Sequence, residues 1–102
     1  MDIVKTAAAG SLESSDLLVT VEPAESGVAV EIASGVLRQY GRQIKEVVLE
    51  TLSRLEVGAA KVTVVDKGAL DCTIRARVEC AVFRAAGRAE DFSYPWEGAV
   101  RE

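Results

Sequence analysis

Asp71-Cys72-Thr73-Ile74-Arg75-Ala76-Arg77-Val78-Glu79-Cys80-Ala81-Val82-Phe83-Arg84-Ala85 fits two periods at once. Cys72, Ile74, Ala76, Val78, Cys80 and Val82 alternate, as in a strand with one buried face. Ile74, Val78, Ala81, Val82 and Ala85 equally trace one side of a helix. The residue types favour the helix. Arg, Ala and Glu have good helix propensity, Asp71 is placed to cap the start, and Gly87 is placed to end it. A strand of about fourteen residues would also exceed the usual three to ten.

Working back along the chain, Asp66-Lys67-Gly68 reads as a turn. Lys61 to Asp66 reads as a strand, with Val62 and Val64 inward and Thr63 outward. Before it, Val36, Leu37, Tyr40, Ile44, Val47, Val48, Thr51, Leu52 and Leu55 recur at three- and four-residue steps. Arg38, Arg42, Lys45, Glu46, Glu50 and Arg54 occupy the opposite side. This predicts an amphipathic helix over Val36 to Leu55, capped by Ser34 and stopped at Gly58. Gly41 within it disfavours helix by about 1 kcal/mol relative to alanine, and a close approach to the sheet is the expected reason. Two alternating runs lie further upstream: Asp16 to Glu22, with Leu17, Val19 and Val21 in phase, and Val28, Val30 and Ile32. Pro23 to Gly27 separates them, which predicts an antiparallel hairpin.

The expected fold is therefore an α+β two-layer sandwich in the order β-β-α-β-α. Its three-stranded sheet has order 2-1-3, every neighbouring pair is antiparallel, and both helices cover one face. The 102 residues suffice for one small domain with a single core layer and little depth for a pocket. Residues 1–15, without a sustained period, read as a mobile N-terminal arm. Residues 88–102 read as a C-terminal tail whose Phe92, Tyr94 and Trp96 fold back onto the domain or dock on a partner.

Composition narrows the function. A net charge of -4 makes nucleic acid and anionic membranes poor partners. No apolar run approaches a membrane span and no apolar leader is visible, so a cytoplasmic protein is expected. The chain has no histidine, no phosphate-binding glycine loop and no metal-ligand cluster, so no catalytic or metal-ligating residue is assigned. Cys72 and Cys80 on one helix would lie about 12 Å apart along its axis, too far for a disulfide, and read as core-facing thiols. Arg77, Arg84 and Arg88 share a helical face. That face is either solvated or available to grip phosphates or an acidic partner.

Ala9-Gly10-Ser11-Leu12-Glu13-Ser14-Ser15-Asp16 holds three serines within five residues, and no histidine exists to activate them. Such a cluster is a polar loop or a modification site. Gly10-Ser11-Leu12-Glu13-Ser14-Ser15-Asp16 resembles the G-(S/T)-L-E-S-G-D segment of the citrate lyase acyl carrier proteins, the gamma subunits. Asp66-Lys67-Gly68-Ala69-Leu70-Asp71-Cys72 is similar to the D-K-G-A-L-D-C run of the same family, and Arg75-Ala76-Arg77 and Pro95-Trp96-Glu97 also fit. The chain departs from the family at Ser15, where glycine usually follows the modified serine.

The resemblance implies that Ser14 carries a covalent prosthetic group through a phosphodiester. That group is 2′-(5″-phosphoribosyl)-3′-dephospho-CoA, whose thiol holds acetyl and citryl thioesters. The implied partners are the alpha (acyl transferase) and beta (citryl lyase) subunits of a citrate lyase complex, with a separate prosthetic-group transferase. The chain itself would be a non-catalytic carrier, a single acyl-carrier domain over residues 1–102. A carrier subunit of malonate decarboxylase, whose carriers resemble this family, or of citramalate lyase is the alternative within the same class. A small interaction or assembly domain that carries nothing is the alternative from another class.

Overall fold

A computed structural model describes residues 1–34 and 38–88 of the chain. The aromatic tail of Phe92, Tyr94 and Trp96 lies outside the described residues, as do Val36 and Leu37. Among the described residues, four strands and two helices follow in the order β1 (Ala7–Gly10), β2 (Leu17–Glu22), β3 (Gly27–Ser34), α1 (Arg38–Arg54), β4 (Ala59–Asp66) and α2 (Asp71–Ala85).

The ambiguous run is the helix α2. Ile74, Val78, Ala81, Val82 and Ala85 are all buried along it. Gly87 ends it with φ +74°: its N–H donates to Arg84 O, and the Arg88 N–H donates to Phe83 O. This is the paired closure that a left-handed residue after a helix permits. Asp71 is not the cap. Leu70 holds that position without a side-chain hydrogen bond, and Asp71 sits in the first turn, where its charge suits the helix dipole.

On α1, Ile44, Val47, Val48 and Leu52 are buried, as the period requires. Buried Thr51 is satisfied by donating to Val47 O at 2.8 Å. Two details differ from expectation. The turn after α1 is made by Glu56, at φ +57°, with the Val57 N–H donating to Leu52 O, so Gly58 is not the stop. A Cβ at Gly41 would meet nothing within 4 Å, so no close approach accounts for that glycine.

The α+β class and the two-layer arrangement are as expected, but the sheet is not. It has four strands in the order β1-β2-β4-β3 and is mixed. β1 pairs antiparallel with β2, β2 pairs antiparallel with β4, and β3 pairs parallel with β4. The expected hairpin between 17–22 and 28–33 does not form, because β4 lies between those strands. Crossing two strand spacings requires about 10 Å, within reach of the four exposed residues Pro23 to Ser26. A loop of that length is compatible with either arrangement.

Burial explains which arrangement is adopted. Ala60, Val62, Val64 and Asp66 of β4 are buried, as a central strand demands, whereas Val28, Val30 and Ile32 of β3 are half-buried, as at an edge. The expected mobile arm over residues 1–15 is also corrected. Met1 and Ile3 pack against the core, the Val4 and Lys5 N–H groups donate to Ala85 O, and residues 7–10 form β1. Ala-Ala-Ala-Gly has too little side chain to show a period. It is recruited through backbone pairing with β2 and by packing of Ala9, which is buried.

The core lies between one sheet face and the helices. Leu17, Val19 and Val21 of β2 and Val62 and Val64 of β4 are fully buried on that face. Helix α2 packs against β1 and β2, α1 packs against β3, and the helices pack on each other. Burying a side chain of this kind contributes about 1.5–3 kcal/mol.

Candidate functional site: the serine loop

The turn from β1 to β2 is the loop Ser11 to Asp16. Its first strand ends at Gly10, with φ +103°, where a Cβ would overlap the Leu17 carbonyl oxygen. Only glycine fits there. The Ser11 N–H donates to that same carbonyl at 3.1 Å, closing the base of the loop. Gly10 therefore fixes the loop rather than freeing it.

The three serines are not equivalent. Ser11 is half-buried, donates its hydroxyl to Asp16 Oδ2 at 2.6 Å and accepts the Glu13 N–H at 3.3 Å. Ser15 has φ +67° and its N–H donates to Lys67 O at 2.8 Å, so its backbone is pinned to the turn after β4. Ser14 lies between them on the exposed crest of the turn. Position 15 is where the resembling motif has glycine, and the left-handed backbone supplies the reason: glycine adopts φ +67° without strain.

Asp16 anchors the loop. Its carboxylate accepts two hydrogen bonds from Arg77, Nε to Oδ1 and Nη2 to Oδ2, each at 3.0 Å. It also accepts the Leu17 N–H at 2.7 Å and the Ser11 hydroxyl. Its backbone oxygen accepts the Lys67 N–H at 2.9 Å. Burial pushes the Asp16 carboxyl upward. The hydrogen bonds from Arg77, Ser11 and Leu17, with the Arg77 charge, outweigh that and hold it below its ordinary 3.8.

The arginine face of α2 is thus mostly spoken for. Arg77 grips Asp16, and Arg84 Nη1 donates to Ala8 O at 2.7 Å, so two of the three arginines clamp the β1–β2 hairpin to the helix. The Arg88 guanidinium lies 5.9 Å from the Phe83 ring centroid. Sequence reasoning placed these arginines on one face but missed their partner. The available signal was an acid, Asp16, at the very start of an apolar strand. Cys80 is buried as expected, whereas Cys72 is exposed, because the helix turns position 72 away from the 74–78–81–85 side.

The D-K-G-A-L-D run forms the floor beside the loop. Asp66 is buried and accepts the Ala69 N–H at 3.0 Å, while Gly68 takes φ +95°. Next to this turn lies a groove of about 470 Å³, lined by Gln43, Ile44, Asp66, Gly68, Ala69, Leu70, Asp71 and Ile74. Gln43 Nε2 donates to Asp71 Oδ1 at 3.3 Å across it.

The family model described as "Malonate decarboxylase delta subunit (MdcD)", an ACP family, matches residues 4–85. The citrate lyase acyl carrier protein of Streptococcus uberis is 56% identical over 87 residues, spanning 85% of this chain and 86% of that protein. Its counterpart from Streptococcus mutans is 59% identical over 87 residues, with 84% and 85% covered. A chain in the crystal structure of a Pseudomonas malonate decarboxylase hetero-tetramer in complex with malonate superposes with TM-score 0.68 at 24% identity. That match covers 81% of this chain and 86% of the other, and shows a shared fold. The chain belongs to the citrate lyase acyl carrier protein family. Acyl carrier proteins of this family carry a covalently attached prosthetic group. An exposed hydroxyl on a loop anchored at both ends suits such an attachment.

Two tests follow from the loop. Because the folded state depresses the Asp16 pKa, its contribution to stability is complete above the ordinary value of 3.8 and is lost as pH falls through the depressed value. Denaturant melts between pH 2 and 6 should show a loss of stability below about pH 4 that is reduced in Asp16→Asn. A wild-type-like slope in that variant would contradict the assignment. Ser15→Gly should stabilise the protein by about 0.5 kcal/mol. It relieves a left-handed strain of about 1–2 kcal/mol, offset by about 0.4–1 kcal/mol of added unfolded-chain entropy. Chemical denaturation measures the difference.

Proposed function

We propose that this chain is the acyl carrier subunit of a citrate lyase complex and that Ser14 is the attachment site of its prosthetic group. The observation that carries this is the sorting of the serines. Ser11 is half-buried and engaged with Asp16, Ser15 is exposed but held by its backbone in a left-handed conformation, and Ser14 is exposed at the position matching the family's modified serine.

The proposed group is 2′-(5″-phosphoribosyl)-3′-dephospho-CoA, joined to Ser14 Oγ by a phosphodiester. When bound, it supplies a thiol on which acetyl and citryl are carried as thioesters. The chain's residues supply none of the acyl chemistry. Ser14 Oγ attacks the α-phosphorus of a triphosphoribosyl precursor, forming an O–P bond as pyrophosphate leaves. The hydroxyl proton passes to a base on a separate transferase, since this chain has no histidine. The clamp of Arg77 and Arg84 keeps the loop base rigid, and the crest presents Ser14 to that transferase. After loading, tethering raises the acyl group's effective concentration at partner active sites to the order of mM for a short flexible link.

The proposed partners are the alpha subunit, which exchanges acetyl for citrate, and the beta subunit, which releases oxaloacetate. The reading as a malonate decarboxylase carrier has the description of the family model in its favour. The identity of 56–59% to citrate lyase carriers, against 24% to the malonate decarboxylase chain, favours the citrate complex.

Ser14→Ala should fold normally, since exposed substitutions usually change stability by less than about 0.5 kcal/mol. Incubated with transferase and precursor, it should stay at its unmodified mass, and a complex assembled with it should not turn over citrate. Wild-type mass gain in this variant would overturn the assignment.

A further inference from the structure

The groove beside the Asp66–Leu70 turn shares that turn with the serine loop, which Lys67 holds. Ser15 N–H donates to Lys67 O and Lys67 N–H donates to Asp16 O, so the residue after Ser14 is paired to the turn that lines the groove. The walls are Ile44, Ala69, Leu70 and Ile74. Leu70, 70% exposed, forms the outer lip of the groove. Gln43, Gly68 and Asp71 add polar groups to the lining.

We infer that this groove is the resting site of the far end of the arm that Ser14 carries: the uncharged, flexible, amide-containing pantetheine segment that ends in a short acyl thioester, with the charged phosphate-bearing part left in solvent. The inference rests on Ser14 being the attachment site. Three features select this occupant. The lining is predominantly aliphatic, which suits methylene and acyl groups that would otherwise be hydrated. The Gln43 amide and the Asp71 carboxylate can exchange hydrogen bonds with amides of the chain. The site is a groove open to solvent rather than a closed cavity, so the occupant can leave for a partner active site without the domain opening. Asp66, the most buried of the lining acids, is committed to the Ala69 N–H and shapes the groove.

The groove would thus hold the thioester against the carrier between visits to partner subunits. Leu70 and Ile74 would be positioning residues for the arm, and no group in the groove would take part in acyl transfer.

The test compares amide spectra of the full chain in three states: unmodified, loaded by the transferase with its thiol free, and acetylated on that thiol. Fragment masses first establish which serine is loaded. Loading at another residue defeats the functional reading itself, before the groove is in question. With Ser14 loaded, acetylation should shift the amides of Ala69, Leu70 and Ile74, and of Ile44 on α1. Leu70→Glu, a change at an exposed position, should load to the same extent and lose those shifts. Acetylation shifts confined to residues 11–16, or groove shifts that persist unchanged in Leu70→Glu, would overturn the inference.

Discussion

A single residue, Asp16, ties the serine loop to two separate parts of the fold and closes the loop on itself. Through Arg77 it binds α2, through its own backbone it meets the turn after β4, and through Ser11 it closes the loop on itself. Charge-assisted hydrogen bonds of this kind contribute about 1.5–3 kcal/mol each. The pair is well shielded, with side-chain exposures of 14% for Asp16 and 30% for Arg77. The more exposed Arg54–Glu79 pair, at 3.7 Å, adds little by comparison. Without the Asp16 anchor the hairpin would keep the Arg84–Ala8 clamp to the helix but lose the one at its loop.

The consequence is a division of labour within six residues. The loop's ends are fixed by Gly10, Ser11 and Asp16, and its crest is left to solvent. A carrier needs this combination. A hydroxyl with its own partners would resist transfer, and a loop with no anchor would present its serine poorly to an enzyme. The strain at Ser15 belongs to the same design, since the crest can turn back toward Lys67 only through a left-handed residue. In the proposed reading the domain supplies a rigid platform, and the chemistry is brought by what the crest would carry.

Both helices were legible because their apolar periods are long; of the ends read from the sequence, Gly87 closes α2 as expected, whereas Gly58 and Asp71 do not play the parts assigned to them. In α2 a competing two-residue period was settled by length and propensity, and the burial of Ile74, Val78, Ala81 and Val82 agrees. The strand order was not legible. Pro23 to Ser26 reads identically whether its flanking strands are neighbours or are separated by β4, because long-range pairing leaves no mark on a short loop. β1 was missed for a different reason: a strand of three alanines and a glycine is held by backbone hydrogen bonds, which sequence does not display. Within the loop, Ser14 could be singled out by its motif. That the Ser11 hydroxyl and the Ser15 backbone are held, while Ser14 is not, comes from contacts with Asp16 and Lys67 that only the folded chain brings together.

The central claim is that the crest hydroxyl of Ser14, and not its neighbours, is the one derivatised. The most direct measurement is fragment mass spectrometry of the carrier isolated from its native host, resolving Ser11, Ser14 and Ser15 separately. The account predicts the whole added mass of the prosthetic group on Ser14. The same mass on Ser11 or Ser15, or on none of the three, would contradict it.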